Sequence, residues 1–282
     1  MTGGSPQVSV IIRARNEGRH IGAALAALQA QRYPPGFEVL LVDTESTDDT
    51  VAIARRFGAA VISLELARFS FGRALNLGAE IARGDYLVHL SADAVPQHAD
   101  HLSRLVAPLA DPQVAATYGR QLPRPGACPS EARDLADWFP PAPRALPRPF
   151  LSNANAAVRR PVWQEHPFDE GVASAEDAVW AAGIVAAGYR IVYVPRATVR
   201  HSHPAWPSVA YRRGRRDAQG LRRVDPALRR FGLWRMLRMA GGLSWLDWRF
   251  ALRHRYGPWW WPHIPLYRLA QAWGIYRGVR VR

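Results

Sequence analysis

Residues 69–96 read FSFGRALNLGAEIARGDYLVHLSADAVP, and they combine the pattern of a helix with that of a buried strand. Its Ala/Leu-rich part predicts a helix over about 71–83 that ends at Gly84. The apolar run at 85–90 (DYLVHL) predicts a buried strand directly after it. Asp93 follows in a sharp turn at the end of that strand, where its side chain can face a cleft.

The same alternation continues on both sides of this stretch. Further strands are predicted at 7–13, 37–43, 59–63, 113–119 and 189–195, and further helices at about 18–32, 48–57, 97–109 and 174–188. Alternating strands and helices with short connections predict a parallel sheet of the doubly wound type, covered on both faces. Ligands of such sheets bind beyond the carboxyl ends of the strands, so Asp43 and Asp93 become site candidates.

Each candidate acid has a functional and an ordinary interpretation. Asp93 suits a divalent cation that contacts a diphosphate, or it caps the next helix. Asp43 suits a hydrogen bond to a nucleotide's base or ribose, or it caps a turn. Glu176 and Asp177 begin a predicted helix, where one of them can accept a proton from a hydroxyl. Acids in a first helical turn also simply stabilise the helix dipole.

His201 and His203 flank Ser202. Side chains two apart on a strand share a face, so both imidazoles could help to bind a metal ion. The alternative is a pair of polar surface histidines.

Charge and tryptophan divide the chain in two. All 37 basic residues are Arg, and residues 196–282 hold 19 of them against the acids Asp217, Asp225 and Asp247. Eight of the 11 Trp lie at or after Trp206. These patterns predict a near-neutral domain over 1–203 and a basic extension over 204–282 with several short amphipathic helices.

Three functions remain open for the extension. Arg with interfacial Trp suits an anionic membrane surface. The helices can instead pack on the catalytic domain or on a second subunit, which would give a homodimer. Nucleic-acid binding fits the charge, but no binding motif accompanies it.

Residues 121–149 interrupt the alternation. They hold eight prolines, which predict an irregular loop. Because plain connections are shorter, this loop is either a lid or acceptor-binding segment, or a divergent insertion.

The single cysteine, Cys128, excludes an intramolecular disulfide and a site with several Cys ligands. The first residues lack the pattern of a signal peptide, and no window reaches the roughly 18 apolar residues of a membrane span. We expect a cytoplasmic protein that is soluble or peripheral at the inner face of the cytoplasmic membrane.

Several motifs in order resemble glycosyltransferase family 2 over about residues 7–203. They are VSVIIRARNEGRHI, LLVDTESTDDTVAIARRFGA, the opening stretch at 69–96, and SAEDAVWAAGIVAAGY. The F-x-x-G-R-x-x-N-L-G, D-A-V-P, V-A-A-x-Y-G-R-Q-L-P, S-N-x-x-x-A-x-R-R and H-S-H segments are similar to bacterial rhamnosyltransferase-like members.

The resemblance implies a GT-A fold and inversion at the sugar's anomeric carbon. It implies a nucleotide-sugar donor (dTDP- or UDP-linked), divalent Mn²⁺ or Mg²⁺, and a hydroxyl acceptor on a cell-surface glycan or lipid-linked molecule. It also assigns residues. Asp177 matches the catalytic base, with Glu176 beside it. The nucleotide-sugar site comprises Ala14, Arg15, Asn16, Glu17, Asp43, Ser46, Arg73, Ser91, Ala92 and Asp93.

The metal-binding D-x-D motif departs from the family, because Ser91 replaces its first acid. This departure predicts weaker metal binding by Asp93 or an added ligand, for which His201 and His203 are the candidates. Two other functions stay open. One is a sugar-phosphate nucleotidyltransferase, whose Lys-containing Gly-rich signature is missing here. The other is a catalytically silent module that serves as a membrane adaptor.

Overall fold

The computed structural model describes residues 6–144 and 149–281, which form two compact units. The first unit consists of the described residues of Met1–Gln121, Pro141–Val172 and Glu176–His201. The second consists of Leu122–Pro140, Ala173–Ala175 and the described residues of Ser202–Arg282. The predicted boundary after residue 203 stays a prediction.

The first unit alternates strands and helices. Its strands are β1 Val8–Ala14, β2 Phe37–Asp43, β3 Ala60–Ser63, β4 Tyr86–Ser91, β5 Val95–Pro96, β6 Val114–Leu122, β7 Asn155–Arg159 and β8 Arg190–Arg200. Its helices are α1 Ile21–Gln29, α2 Thr50–Arg56, α3 Phe71–Ile81, α4 His101–Val106, α6 Arg160–Glu165 and α7 Glu176–Ala186.

The described strands form one sheet in the order β3-β2-β1-β4-β7-β6-β8-β5. The first four are parallel, whereas β7 pairs antiparallel with both β4 and β6. The prediction of a mostly parallel α/β sheet is therefore confirmed. The antiparallel β7 is an addition that periodicity in the sequence does not reveal.

Strands β1 and β4 lie inside the sheet and are almost entirely buried, which explains their continuous apolar runs. In β1 only Arg13 is partly exposed. Ser70 caps the N-terminus of helix α3, and its hydroxyl accepts a hydrogen bond from Arg73 N at 3.0 Å. The helix packs closely on β1, because a Cβ on Gly78 would lie 2.5 Å from Cγ2 of Ile11.

Several predicted boundaries differ from the structure by a few residues. Strand β2 has the predicted bounds, but α1 begins only at Ile21, after a turn. The predicted helix at 97–109 is α4 followed by a 3₁₀ helix at Ala107–Ala110, which contains Pro108. Proline cannot donate the hydrogen bond that would continue the α-helix.

The prediction of an irregular loop at 121–149 was wrong for its middle part. Helix α5 spans Pro129–Trp138 in the second unit. Pro129 occupies the first turn, where a missing N–H is harmless, and the Cys128 sulfur accepts from Glu131 N at 3.5 Å. The proline that suggested a loop therefore begins a helix. The role of the segment as a lid stays a prediction.

The second unit is helical. Besides α5 it contains α8 Pro207–Leu221, α9 Pro226–Arg229, α10 Leu233–Arg253 and α11 Trp260–Gly278. The prediction of short helices was wrong for α10 and α11, which have 21 and 19 residues. Glycine and proline interrupt neither helix, although Pro265 lies within α11. Within the described ranges, no helix is both long and apolar enough to cross a membrane.

Candidate functional site

The carboxyl ends of three neighbouring parallel strands carry most of the predicted site. In the register of the sheet, Ala14 at the end of β1 lies opposite Asp43 at the end of β2. On the other side of β1, Arg13 lies opposite Ser91 at the end of β4. The structure thus brings the predicted loop after β1, Asp43 and the Ser91–Asp93 turn to one edge of the sheet.

The loops after β1 and β2 are tied together by side-chain hydrogen bonds. Asn16 has a φ of 57°, and its backbone N–H donates to Ser46 Oγ at 2.9 Å. Its side-chain oxygen accepts from Thr47 N at 2.8 Å. Glu17 N donates to Thr50 Oγ1 at 2.8 Å. These bonds hold an exposed Asn in the left-handed region, a conformation that is uncommon for a residue other than Gly and that clusters at binding and catalytic sites.

The two carboxylate oxygens of Asp43 differ, because one accepts a hydrogen bond and the other has no partner among the described residues. Its Oδ2 accepts from Ser46 N at 3.1 Å. Its Oδ1 is buried and has no hydrogen-bond partner among the described residues. A buried acceptor without a donor is costly, so this oxygen suits a donor group on a ligand.

Asp93 faces His201. Asp93 Oδ1 lies 3.3 Å from His201 Nε2, and His201 Nδ1 lies 2.8 Å from Gln121 Oε1. The Gln121 amide nitrogen donates to Ser152 Oγ at 2.8 Å, which orients its oxygen toward the imidazole. The imidazole is therefore held between an amide oxygen at Nδ1 and the Asp93 carboxylate at Nε2.

Two electron-pair donors that converge in this way suit a shared cation. An imidazole nitrogen and a carboxylate oxygen are both ordinary ligands of divalent metals. Within the described ranges, no group of three or more His, Cys, Asp or Glu side chains is placed to hold a metal ion. Asp93 and His201 could thus supply two ligands to a metal ion, which would leave its other coordination positions to a bound molecule and water.

His203 is engaged in the second unit. Its Nδ1 lies 3.0 Å from Glu131 Oε1, and its backbone N–H donates to the same oxygen at 3.3 Å. Of the two histidines predicted as metal ligands, His201 contacts Asp93, and His203 contacts Glu131.

Glu176 is held by an arginine from the first strand. Arg13 Nη1 lies 2.7 Å from Glu176 Oε1, and Asn153 Nδ2 donates to the same oxygen at 3.4 Å. The guanidinium stacks over Phe71, 4.6 Å from the ring centroid. Burial alone would raise the pKa of Glu176, but the charge and hydrogen bond of Arg13 lower it below its ordinary value.

Asp177 has a different environment although it is the next residue. It accepts hydrogen bonds only from backbone N–H groups, those of Asn153 at 3.3 Å and Ala178 at 2.8 Å, among the bonds described for it. Burial of the carboxyl group and the negative charge of Glu176 raise its pKa to about 7. A carboxyl group with that pKa exchanges a proton near neutral pH, as a general base must.

The other predicted residues occupy varied places. Ala92 is buried, and Arg15 is exposed in the loop after β1. Arg73 lies 3.3 Å from Glu170 and 3.6 Å from Glu80, so two carboxylates already neutralise its charge.

Sequence reasoning missed three polar residues that organise the acid pair. Arg13 neutralises Glu176, and Asn153 contacts both acids. His89 Nδ1 lies 3.0 Å from Asn153 Oδ1, so it supports that amide from β4. An arginine inside the apolar run of β1 was the available signal, because a charge in a buried strand needs a partner.

A model of a known family matches this chain, and so do several known proteins. The model described as "Glycosyl transferase family 2" matches residues 9–161. The O-antigen chain rhamnosyltransferase RfbN of Salmonella typhimurium is 30% identical over 223 residues, which cover 73% of this chain and 70% of that protein.

Two solved structures have similar folds. The mannosyltransferase PcManGT from Pyrobaculum calidifontis, in complex with GDP-Man and Mn²⁺, aligns with a TM-score of 0.66 and 23% identity. That alignment covers 96% of this chain and 87% of the neighbour. Glucosyl-3-phosphoglycerate synthase from Mycobacterium tuberculosis, in complex with Mn²⁺, UDP-glucose and phosphoglyceric acid, aligns with a TM-score of 0.50 and 25% identity. It covers 71% of this chain and 72% of the neighbour.

Proposed function

This chain belongs to glycosyltransferase family 2, and on that premise we propose the reaction it catalyses. The reaction is the inverting transfer of a sugar from a dTDP- or UDP-linked donor to a hydroxyl of a surface glycan or lipid-linked acceptor. Rhamnose is the sugar we favour, because the similar RfbN is named a rhamnosyltransferase. The observation that carries the proposal is Asp177, a carboxyl with a pKa of about 7 in the same unit as Asp43 and Asp93.

The nucleoside is proposed to bind at the loops after β1 and β2. Asp43 Oδ1 is a buried acceptor that lacks a described donor, and a ribose hydroxyl or a base N–H supplies one. Asn16 and Ser46 are already linked by a hydrogen bond, so the loop is ordered before the nucleotide arrives. Preorganisation of this kind lowers the entropic cost of binding.

The diphosphate is proposed to bind near Asp93 and His201 together with Mn²⁺ or Mg²⁺. These two side chains would hold the ion, and it would offset the charge that builds on the departing diphosphate. His201 replaces the acid that the family has at Ser91, and Gln121 keeps its Nε2 directed at Asp93. The glucosyl-3-phosphoglycerate synthase neighbour, solved with Mn²⁺ and a nucleotide sugar, supports a metal in this role.

Asp177 is proposed to act as the general base. It takes the proton of the acceptor hydroxyl, while the oxygen forms a bond to the anomeric carbon. The bond from that carbon to the diphosphate breaks on the opposite face, so the configuration inverts. Glu176 keeps the pKa of Asp177 high, and Arg13 keeps Glu176 ionised, so both act through Asp177 as positioning residues.

Thermal stabilisation by nucleotide sugars tests the donor site without an acceptor. We expect dTDP-rhamnose or a UDP-sugar to raise the melting temperature in the presence of Mn²⁺, and chelation of the ion to reduce the shift. Asp43→Asn should weaken the response with and without Mn²⁺, whereas Asp93→Asn should remove only its dependence on Mn²⁺.

Glu165→Gln is a matched control, since it changes an exposed acid of the same unit. A Mn²⁺-dependent shift that survives in Asp93→Asn would show that the metal binds elsewhere. Stabilisation without release of the nucleotide diphosphate, with any acceptor extract, would favour a silent binding module. Release of pyrophosphate from dTTP and a sugar phosphate would favour a nucleotidyltransferase.

A further inference from the structure

Helix α10 has a buried face and an exposed apolar face. The buried residues recur every three or four positions: Met236, Ala240, Ser244, Asp247 and Ala251. The exposed large apolar residues are Leu233, Trp234, Leu237, Trp245, Leu246 and Leu252. Such a helix normally turns polar residues to water, so an outer face of Trp and Leu indicates a partner for that surface.

Helix α11 repeats the arrangement. Its buried residues include Ile264, Tyr267, Ala272 and Gly274, which face the rest of the second unit. Its exposed apolar residues are Trp261, Leu266, Leu269 and Trp273, and the last three follow one another at about one helical turn. The two longest helices of the second unit therefore both expose several large apolar side chains.

The charge around these faces has one sign. Asp247 is the only acidic residue after Asp225 in the sequence, and it is fully buried against Arg268 and Arg133. The exposed faces of α10 carry arginines such as Arg238, Arg249 and Arg253, with no acid among them. Positive and apolar side chains therefore share the exposed face of α10, and neither α10 nor α11 carries an exposed acid.

A cavity of about 340 Å³ lies at the end of α11. It is lined by Arg215, Trp273, Tyr276, Arg277, Arg280 and Val281. Neither Arg215 nor Arg277 forms an ion pair with a described carboxylate. Arg280 Nη1, in contrast, already donates to the carbonyl oxygens of Phe231 at 3.2 Å and Tyr276 at 2.8 Å. The guanidinium groups of Arg215 and Arg277, in a pocket also lined by Trp273 and Tyr276, suit a phosphate at the boundary between water and an apolar phase.

We propose that the exposed faces of α10 and α11 bind the surface of an anionic phospholipid membrane. Trp and Leu side chains enter the headgroup region, and the arginines, including those of the cavity, contact lipid phosphates. A second copy of the chain is disfavoured as the partner, because it would bring like charges together. Nucleic acid matches the arginines but gives no role to the exposed Leu side chains. The proposal does not depend on the sugar donor or the acceptor.

Vesicle co-sedimentation of the full chain tests the proposal. We expect binding to vesicles of phosphatidylcholine with phosphatidylglycerol, and much weaker binding to phosphatidylcholine alone. Arg238→Gln and Arg249→Gln should each weaken binding about fivefold, the effect of one arginine near an anionic surface. The pair Trp234→Ala and Trp245→Ala should weaken it about tenfold or more, through lost apolar burial.

The matched controls lie in the first unit. Arg55→Gln and Arg56→Gln remove exposed charges from α2, and Ile81→Ala shortens an exposed apolar side chain; all should bind vesicles normally. All of these positions are exposed, so circular dichroism should show unchanged folding.

Three results would overturn the proposal. The first is absence of binding to anionic vesicles, and the second is equal loss of binding in the first-unit controls. The third is competition by duplex DNA in which the arginine variants lose affinity for DNA and the tryptophan variants keep it. That result would assign the surface to nucleic acid.

Discussion

The two units differ in how much positive charge surrounds their buried carboxylates. In the first unit Glu176 and Asp177 are adjacent acids that share one arginine, Arg13. In the second unit Asp247 alone contacts both Arg133 and Arg268, and it accepts a hydrogen bond from Ser130 as well. Asp177 in the first unit therefore has little compensating positive charge, whereas Asp247 in the second unit lies between two arginines. This difference fits the proposed catalytic role of Asp177 and a structural role of Asp247, because an acid with little compensating charge can exchange protons near neutral pH.

The pKa shifts follow this difference. Burial and the charge of Glu176 raise the pKa of Asp177 to about 7. Burial would also raise the pKa of Asp247, but hydrogen bonds and charge from Arg268 lower it. The pKa of Glu131 is held well below its ordinary value against the effect of burial, chiefly by Arg213 and His203.

The largest expected effect comes from Asp177→Asn. Its amide has the shape of the acid but accepts no proton, so we expect kcat to fall about 10³-fold, as for other general bases. Donor binding and folding should persist. Turnover assays and donor-dependent thermal shifts measure both quantities, with Glu165→Gln as the control. Near-normal turnover in Asp177→Asn would remove the acid–base distinction between the two units.

The matching change in the second unit is Asp247→Asn. It should lower the free energy of unfolding by about 3 kcal/mol or more, because buried Arg268 and Arg133 lose a shared counter-charge. Urea denaturation followed by Trp fluorescence measures this, since eight of the 11 Trp lie from Trp206 onward. An unchanged unfolding midpoint would mean that this carboxylate is not needed for the helical unit.

How much of this was predictable depends on the range of the interaction. Strand β2 ends at Asp43 as the sequence predicts, because a buried strand and the turn after it are local features. Glu176, Asp177 and Asp93 were predicted as site residues from motifs that occur in a particular order along the chain. The contact of Arg13 with Glu176 joins residues 163 positions apart, and no periodicity encodes such a pairing.

The second unit was less predictable for the same reason. Composition indicates a basic, Trp-rich extension, but it does not reveal that Arg268 is completely buried. That burial depends on Asp134 of α5 and Asp247 of α10, which meet only in the folded unit. The helix at Pro129–Trp138 was hidden because proline at a first helical position resembles proline in a loop.

The raised pKa of Asp177 makes the expected activity depend on pH. Activity should rise with pH with a midpoint of about 7, since Asp177 must be ionised to accept a proton. Glu176→Gln should move that midpoint lower, because it removes the negative charge that helps to raise the pKa of Asp177. A rate–pH profile for both proteins measures the shift. A midpoint that stays at about 7 would leave burial as its only cause.

Stability should depend on pH in opposite directions in the two units. The pKa of Asp177 is raised on folding, so its stabilising effect is present below its unfolded pKa and is lost as pH rises toward about 7. The pKa of Asp247 is lowered, so its stabilising effect is present above the unfolded pKa and is lost as acid protonates it. Unfolding midpoints of Asp177→Asn and Asp247→Asn against the parent chain, across this pH range, measure both slopes. If both substitutions changed the pH dependence of stability in the same direction, the difference between the two units would be contradicted.

The smallest effect is expected at Arg104 and Asp100, an exposed ion pair whose nitrogen–oxygen distance equals that of the buried pair Arg268 and Asp134. Arg104 Nη2 lies 2.8 Å from Asp100 Oδ2, the separation that also joins Arg268 Nη1 to Asp134 Oδ2. Half of the Asp100 side chain is exposed, whereas Arg268 is completely buried. Asp100→Asn should therefore cost at most about 0.5 kcal/mol, and added salt should abolish the difference. Asp100 makes no side-chain capping bond to α4, so the substitution removes the ion pair and the charge at the helix start but no capping hydrogen bond. A loss as large as that of Asp247→Asn, in the same urea titration, would mean that distance and not burial decides what an arginine contributes.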